Sequence, residues 1–298
     1  MTLLADSPPV AVLVPPRRTQ RLRGIGRRFR GQKMALVALG FIGLVVAAGL
    51  AAPLLPIHDP NAQVLSDRLK GFSGEHLLGT DDLGRDVLSR LLVGARVTLL
   101  AAIQATAIAS LLGAPVGLVA GYVGGWVDVV TSRIADAVLS IPGFLLALAI
   151  VGILEPGVTN AMIAVGLVYA PRFFRVVRAS TLAVREEAYV DAARALGVNR
   201  RRIIAGHVLP NIASPLAVEL ALAAGFALLA EAGISFLGLG VQPPQASWGS
   251  MLGRSTRFMS ESPLLVVLPG LAIFLLVLAV NVVGNGLRDA LSPEHTNR

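Results

Sequence analysis

The sequence has 298 residues, 54% hydrophobic and only 15% charged, with a formal net charge of +8 and no cysteine. Soluble domains carry about a quarter charged residues, so this composition belongs to a chain embedded in a bilayer. It excludes a disulfide framework, a thiolate metal site and a cysteine nucleophile; the basic residues sit beside apolar runs, which argues against nucleic acid as the reason for the positive balance.

The chain opens with a basic tail containing Arg17, Arg18, Arg21, Arg23, Arg27, Arg28 and Arg30. The apolar run 34–57 follows, long enough at about 1.5 Å per residue to cross a roughly 30 Å hydrocarbon core. An arginine flank ahead of Gly49-Leu50-Ala51 loosely fits a secretory signal, but the length of the run and the spans behind it favour an uncleaved first helix. Further spans are predicted over 93–120, 129–154, 157–181, 211–237 and 263–287. The fold expected is therefore an all-α integral membrane protein with six transmembrane helices. A second basic set, Arg172, Arg175, Arg178, Arg185, Arg194, Arg200, Arg201 and Arg202, reads as loop-confined. Placing both sets inside by the positive-inside rule puts both termini in the cytoplasm, with 58–92, 155–156 and 238–262 outside. The outer segment 58–92 fits this, holding Asp59, Asp67, Glu75, Asp81, Asp82 and Asp86 against only four basic residues.

Gly113, Gly117, Gly121 and Gly125 recur at the spacing that lets helices approach closely, either within the bundle or against a partner subunit. Near the inner end of the third predicted span lie Asp128, Arg133 and Asp136. Arg133 and Asp136 stand at i, i+3, so a local ion pair is expected there.

Between the fourth and fifth spans lies one compact polar island, EEAYVDAARALGVNRRRIIAGHVLPN, residues 186–211. Tyr189, Ala192, Ala193 and Leu196 fall on one helical face. Glu186, Glu187 and Asp191 come early and Arg194 late, as the helix dipole favours. Gly197 is placed to end the helix. Asn199 can cap a second one over 200–208, before Pro210 starts the next span. So short a helix–Gly–helix has little core of its own; its flat alanine face suits a groove on another protein, or else it lies on the bilayer surface as an amphipathic connector.

Glu219 and Glu231, inside the fifth span, are costly there and by default functional. Glu231, near the outer end, has an interfacial position or pairing with a neighbouring helix as its alternative. An intramembrane hydrolase is excluded: His58, His76, His207 and His295 lie outside the spans, no H-E-x-x-H occurs, and Gly233-Ile234-Ser235 is too slight a motif. No metal site is expected. ATP hydrolysis is excluded as well, because the chain lacks a G-x-x-x-x-G-K-[ST] loop and its only lysines are Lys33 and Lys70.

DAARALGVNRRRIIAGHVLP resembles the EAA loop of bacterial ABC importer permeases, E-A-A-x3-G-x9-I-x-L-P. Asp191, Ala192, Ala193, Gly197, Leu209 and Pro210 match; Asp191 replaces Glu, and His207 replaces Ile as in the peptide branch. HLLGTDDLGRDVLSRLLVGAR from His76, EAGISFLGLGVQPPQASWGSML from Glu231 and GNGLRDALSP from Gly284 resemble the C-type permease of dipeptide, oligopeptide and nickel importers. Asn285 stands where that branch is expected to carry Asp.

The resemblance implies a permease in the bacterial inner membrane, forming half of a translocation pathway for peptides, with nickel or another small solute as the alternative cargo. Its implied partners are a second permease, two ABC ATPase subunits carrying ATP and Mg, and an extracytoplasmic binding protein. This chain itself would bind no cofactor. Glu187, Tyr189, Asp191, Ala192, Ala193, Leu196, Gly197, Leu209 and Pro210 would couple it to the ATPase. Glu219 and Glu231 are candidates for a polar pathway that receives peptide amines. A channel needing no energy would have no use for the docking loop. The chain divides into a basic cytoplasmic tail (1–33), a first span with its extracytoplasmic segment (34–92), the permease core (93–290) and a cytoplasmic tail (291–298). The segments 58–92 and 238–262 are expected to dock the binding protein or to fold back as a flap over the pore. In the second of these, Pro243-Pro244 suits a rigid turn and Trp248 an interfacial anchor.

Overall fold

The structure, a computed structural model, describes residues 26–55 and 57–291. The arginines up to Arg23 and the tail from residue 292, including His295, lie outside the described residues. Apart from one isolated β-bridge between Thr80 and Asp86, the regular structure is helical. Where no water is present, a helix satisfies its own backbone polar groups.

Helix α1 is Lys33–Ala51, α2 Val87–Val123, α3 Gly125–Leu139, α4 Gly143–Leu154 and α5 Val158–Arg185. The island folds as α6, Ala188–Ala195, and α7, Arg200–Ile203. Then come α8, Leu209–Phe236, α9, Trp248–Ser255, and α10, Leu264–Leu291. Among the described residues, five helical stretches are long and apolar enough to cross a bilayer: Lys33–Leu54, Val87–Val123, Val158–Arg185, Arg200–Phe236 and Leu264–Leu291.

The predicted span 129–154 is not one helix. It is α3 and α4, meeting at 88°. Pro142 has no N–H to continue α3 and disfavours helical geometry at Ile141, and α4 restarts when the Leu146 N–H donates to the Pro142 carbonyl at 3.0 Å. Helix α2 begins six residues ahead of its predicted start because Asp86 caps it, accepting from the Ser89 N–H at 2.8 Å.

Helices α2 and α5 form the tightest seam of the bundle. A Cβ at Gly117 would stand 2.5 Å from the Phe174 carbonyl oxygen, one at Gly121 would stand 2.8 Å from that of Arg178, and one at Gly113 would run into Ala170. From the other side Gly166 meets Ala105 and Ile108. Three of the four periodic glycines therefore pack within the chain, while Gly125 has nothing within 4 Å and helps turn the chain at positive φ. The contacts advance together along both helices, so α2 and α5 run parallel, and the bent α3–α4 pair carries the chain back between them. Helix α1 packs on α2 at Gly49 against Arg96, and on α10 at Ala35 against Gly286.

The bundle has two polar ends. At one, residues 57–86 meet the loop and short helices of 237–263: Arg68 lies over the Phe258 ring at 5.4 Å, and the Trp248 indole N–H donates to the Leu91 carbonyl at 2.9 Å. At the other, α6 and α7 close over the C-terminal end of α2. Trp248 is 4% exposed, so it is a buried clasp, not an interfacial anchor.

Overpacking a close helix contact costs about 1–3 kcal/mol. Gly117→Leu is expected to lower the thermal midpoint of the detergent-solubilised protein by several degrees, whereas Gly43→Ala, with open space around it, should not. Equal midpoints for the two would show that the seam carries no stability.

Candidate functional site: the helical knuckle and the arginine ladder

Helix α6 ends in a Schellman turn. The Gly197 N–H donates to the Arg194 carbonyl at 2.9 Å and the Val198 N–H to that of Ala193 at 3.1 Å. Gly197 takes φ +73°, a conformation that glycine adopts without strain. The Asn199 side chain accepts from the Arg201 N–H at 3.0 Å and caps α7. The four residues read as one face are divided between two environments. Ala193, 7% exposed, turns inward with the fully buried Val190, while Leu196 is 83% exposed and Tyr189 and Ala192 also face outward. Successive residues advance 100° about the axis, so Ala193 lies at the edge of that face, and burial of its neighbour Val190 draws it in.

Val190 and Ala193 share one apolar cluster with Tyr122, Val177, Ile203, Val208 and Ile212. The knuckle's core is thus built from the ends of α2, α5 and α8. Arg194 pairs with Asp191 at 2.9 Å and lies over the Tyr122 ring at 5.5 Å. Arg185 donates to the Tyr122 carbonyl at 3.3 Å. Tyr189 stacks on His207, and the Asn211 amide donates to the Tyr189 hydroxyl at 3.1 Å. The second short helix does not stop at Val208: a π-type stretch, Ile204–Val208, joins α7 to α8, and its widened turn suits Pro210, which has no N–H to donate. Glu187 occupies the N-cap position of α6; Leu209 and Pro210, both exposed, open α8.

Arg172, Arg175 and Arg178 are not in a loop. They lie on α5, each facing an acid of another helix. Arg172 Nε is 3.4 Å from Glu219 Oε1 on α8. Arg175 Nη2 is 2.7 Å from Asp136 Oδ1, and Arg178 Nη2 is 2.7 Å from Asp128 Oδ2, both on α3. Asp136 therefore pairs across helices with Arg175, where the spacing alone had suggested Arg133. Lone charges inside a span are expensive, and pairing is what lets α5 keep three.

Glu231 is fully buried inside the chain. Its Oε1 accepts from the Ser235 hydroxyl at 2.8 Å, with Thr98 and Ser247 beside it. It joins α8 to α2 and to the start of α9, and it opens onto no surface.

The residues of the HLLGTDDLGRDVLSR stretch hold the opposite end together. Arg85, 3% exposed, bonds Asp81 at 2.6 Å, and Arg90 donates to the Pro60 carbonyl at 2.8 Å. Gly84, at positive φ, lies against Val64, where no Cβ would fit. Among the described residues, His58, His76 and Asp86 bring donor atoms within 4.8 Å of one another. His76 Nδ1 is already 3.0 Å from Asp86, and His58 Nε2 is 2.9 Å from the Glu75 carbonyl, which makes the group a hydrogen-bonded hub. Burial opposes the Asp86 charge, but bonds from Ser89 and His76 outweigh it and hold the carboxyl below its ordinary 3.8. Only the Ser at N3 after Asp86 marked this cap in the sequence.

Residues 113–296 match the family described as "Binding-protein-dependent transport system inner membrane component". Residues 21–71 match "N-terminal TM domain of oligopeptide transport permease C". The chain belongs to the binding-protein-dependent transport permeases. It is 43% identical over 268 residues to the dipeptide transport system permease protein DppC of Alkalihalophilus pseudofirmus, covering 90% of this chain and 88% of that one. It is 41% identical over 273 residues to the glutathione transport system permease protein GsiD of Pectobacterium atrosepticum, covering 91% of each. The inward-facing MetNI methionine ABC transporter shares the fold, with a TM-score of 0.56 at 19% identity over 67% of this chain and 94% of that one. This permease is thus a multi-pass inner-membrane subunit of an ABC importer that works with an ATPase and a binding protein.

Because the folded-state carboxyl of Asp86 titrates lower than the free one, its contribution to stability is complete above about pH 4 and is lost as pH falls through the lowered value. Asp86→Asn is expected to cost about 1–2 kcal/mol at neutral pH, with the gap to wild type narrowing in acid. A gap independent of pH would assign the loss to packing instead.

Proposed function

We propose that the chain forms half of the translocation pathway of an importer for di- or oligopeptides, handed over by an extracytoplasmic binding protein. The dipeptide and glutathione permeases among its relatives support this cargo. In this reading the α3–α4 pair is one bent crossing, needed because α2 and α5 run parallel, and the chain crosses the membrane six times. Both termini and the knuckle lie in the cytoplasm, and 57–86 and 237–263 face the binding protein. The tail 1–33, the first span with its outer segment 34–92, the core 93–290 and the tail 291–298 keep their separate roles.

The observation that carries the reading is the divided surface of α6. Its outer side, Tyr189, Ala192 and Leu196 with Glu187 and Asp191 at the rim, seats in a groove of an ATPase subunit. Its inner side, Ala193 with Val190, is buried among the ends of three long helices. Gly197 makes the turn that sets this geometry, and Leu209 and Pro210 begin the helix that receives the motion. Closure of two ATPases on ATP and Mg displaces the knuckle of this chain and that of a second permease. The attached helices then tilt as rigid bodies, giving alternating access. Glu219 contributes to the pathway through Arg172, and Glu231 braces the outer end out of reach of cargo.

In proteoliposomes with the partner subunits and binding protein, Leu196→Glu is expected to cut transport and substrate-stimulated ATP hydrolysis at least about tenfold, the scale of a lost docking anchor, with normal membrane insertion. Unchanged coupling would sink the docking assignment. Transport of Ni2+ and not of a labelled dipeptide by the wild type would replace the peptide cargo.

A further inference from the structure

The exposed residues of α5 change character along its length. Towards the α2 start it exposes Leu167; further along it exposes Arg172 and Arg175. Arg172 lies roughly 21 Å from the start of α5 at 1.5 Å per residue, near the middle of its 28 residues. Its side chain is 57% exposed, against 6% for Glu219. A guanidinium at that depth does not face lipid; it faces a polar cavity or a partner.

Its surroundings fix it in place. The guanidinium lies over the Tyr169 ring at 5.5 Å, and that ring is itself held by Phe226 at 4.8 Å and by the edge contact with Phe173 at 6.0 Å. Tyr169 lies beside the Glu219 carboxylate. At 3.4 Å, Glu219 Oε1 makes no hydrogen bond, so Arg172 retains donors for another acceptor. Glu219 is enclosed and cannot meet a passing amine. The charge on offer is positive, the reverse of what the acids in the sequence suggest.

We propose that Arg172 is the point of the pathway that receives the terminal carboxylate of the passing peptide, and that Glu219 and Tyr169 position its guanidinium. This rests on the peptide-importer reading above. Arginine suits the task, since its fork matches a carboxylate bidentately.

The test is uptake of a labelled dipeptide into proteoliposomes holding the full complex. Arg172→Gln with Glu219→Gln removes both charges together, so no buried acid is left unpaired. Arg172→Glu with Glu219→Arg keeps an ion pair but reverses the exposed charge. The neutral pair is expected to lose about tenfold in uptake, the worth of a charge-assisted hydrogen bond, and the reversed pair to lose at least as much. Both should assemble normally with the partner subunits, and Arg172→Lys should recover part of the rate. Restoration of wild-type uptake by the reversed pair would reduce Arg172–Glu219 to a structural ion pair and overturn the proposal. Failure of the wild type itself to import dipeptide would overturn the peptide reading instead.

Discussion

Gly113, Gly117 and Gly121 let the backbone of α5 lie directly against α2, and the positions of the functional elements follow from that seam. Between helices in lipid, association depends on close packing more than on the hydrophobic effect. Glycines spaced one turn apart therefore set the register of α5 along α2. Register puts Tyr122 and Val177 at the same end, where α6 finds an apolar seat. The parallel direction of the two helices also demands a return path, which the bent α3–α4 pair supplies. On that return α3 brings Asp128 and Asp136 beside Arg178 and Arg175.

The two polar ends solve different problems. Around 57–86 and 237–263, buried arginines, acids and His76 tie loop backbone to loop backbone, and Trp248 pins the assembly to α2. At the knuckle the polar groups stay at the rim, while a small apolar cluster joins α6 to three helices. A knuckle tied by exposed ion pairs alone would be weakly held, since such pairs contribute little. The buried Val190 and Ala193 tie α6 to the ends of α2, α5 and α8, which is what the proposed coupling requires. The same α5 presents Arg172 on its exposed side, so the proposed coupling and the proposed cargo contact would lie on one helix.

Long-range apolar runs and local cap chemistry were legible in the sequence. Each predicted span overlaps a helix, Asn199 caps α7, and Gly197 ends α6, because these depend on neighbours within a few residues. The 88° bend was announced by Ile141-Pro142-Gly143 but masked by the apolar residues on either side, which read the same in one helix or two. Partner choice was not legible. Asp136 had both Arg133 and Arg175 as candidates, and only packing of α3 on α5 decides between them. Ala193 and Ala192 are identical residues, and burial of Val190 determines which one turns inward. The acids Glu219 and Glu231 stood out in an apolar run, yet it is Arg172, hidden among arginines that looked like a loop cluster, that is left exposed.

Rigid coupling requires the knuckle to move with the bundle. Spin labels at Ala192 and at Val123, the last residue of α2, would report that directly by pulsed electron resonance in the reconstituted importer, compared with and without ATP held in the ATPases. The expected result is a narrow distance distribution whose centre does not shift, while the distance between Ala192 and its counterpart on the second permease does. A shift between Ala192 and Val123 as large as that between the two knuckles would contradict rigid coupling.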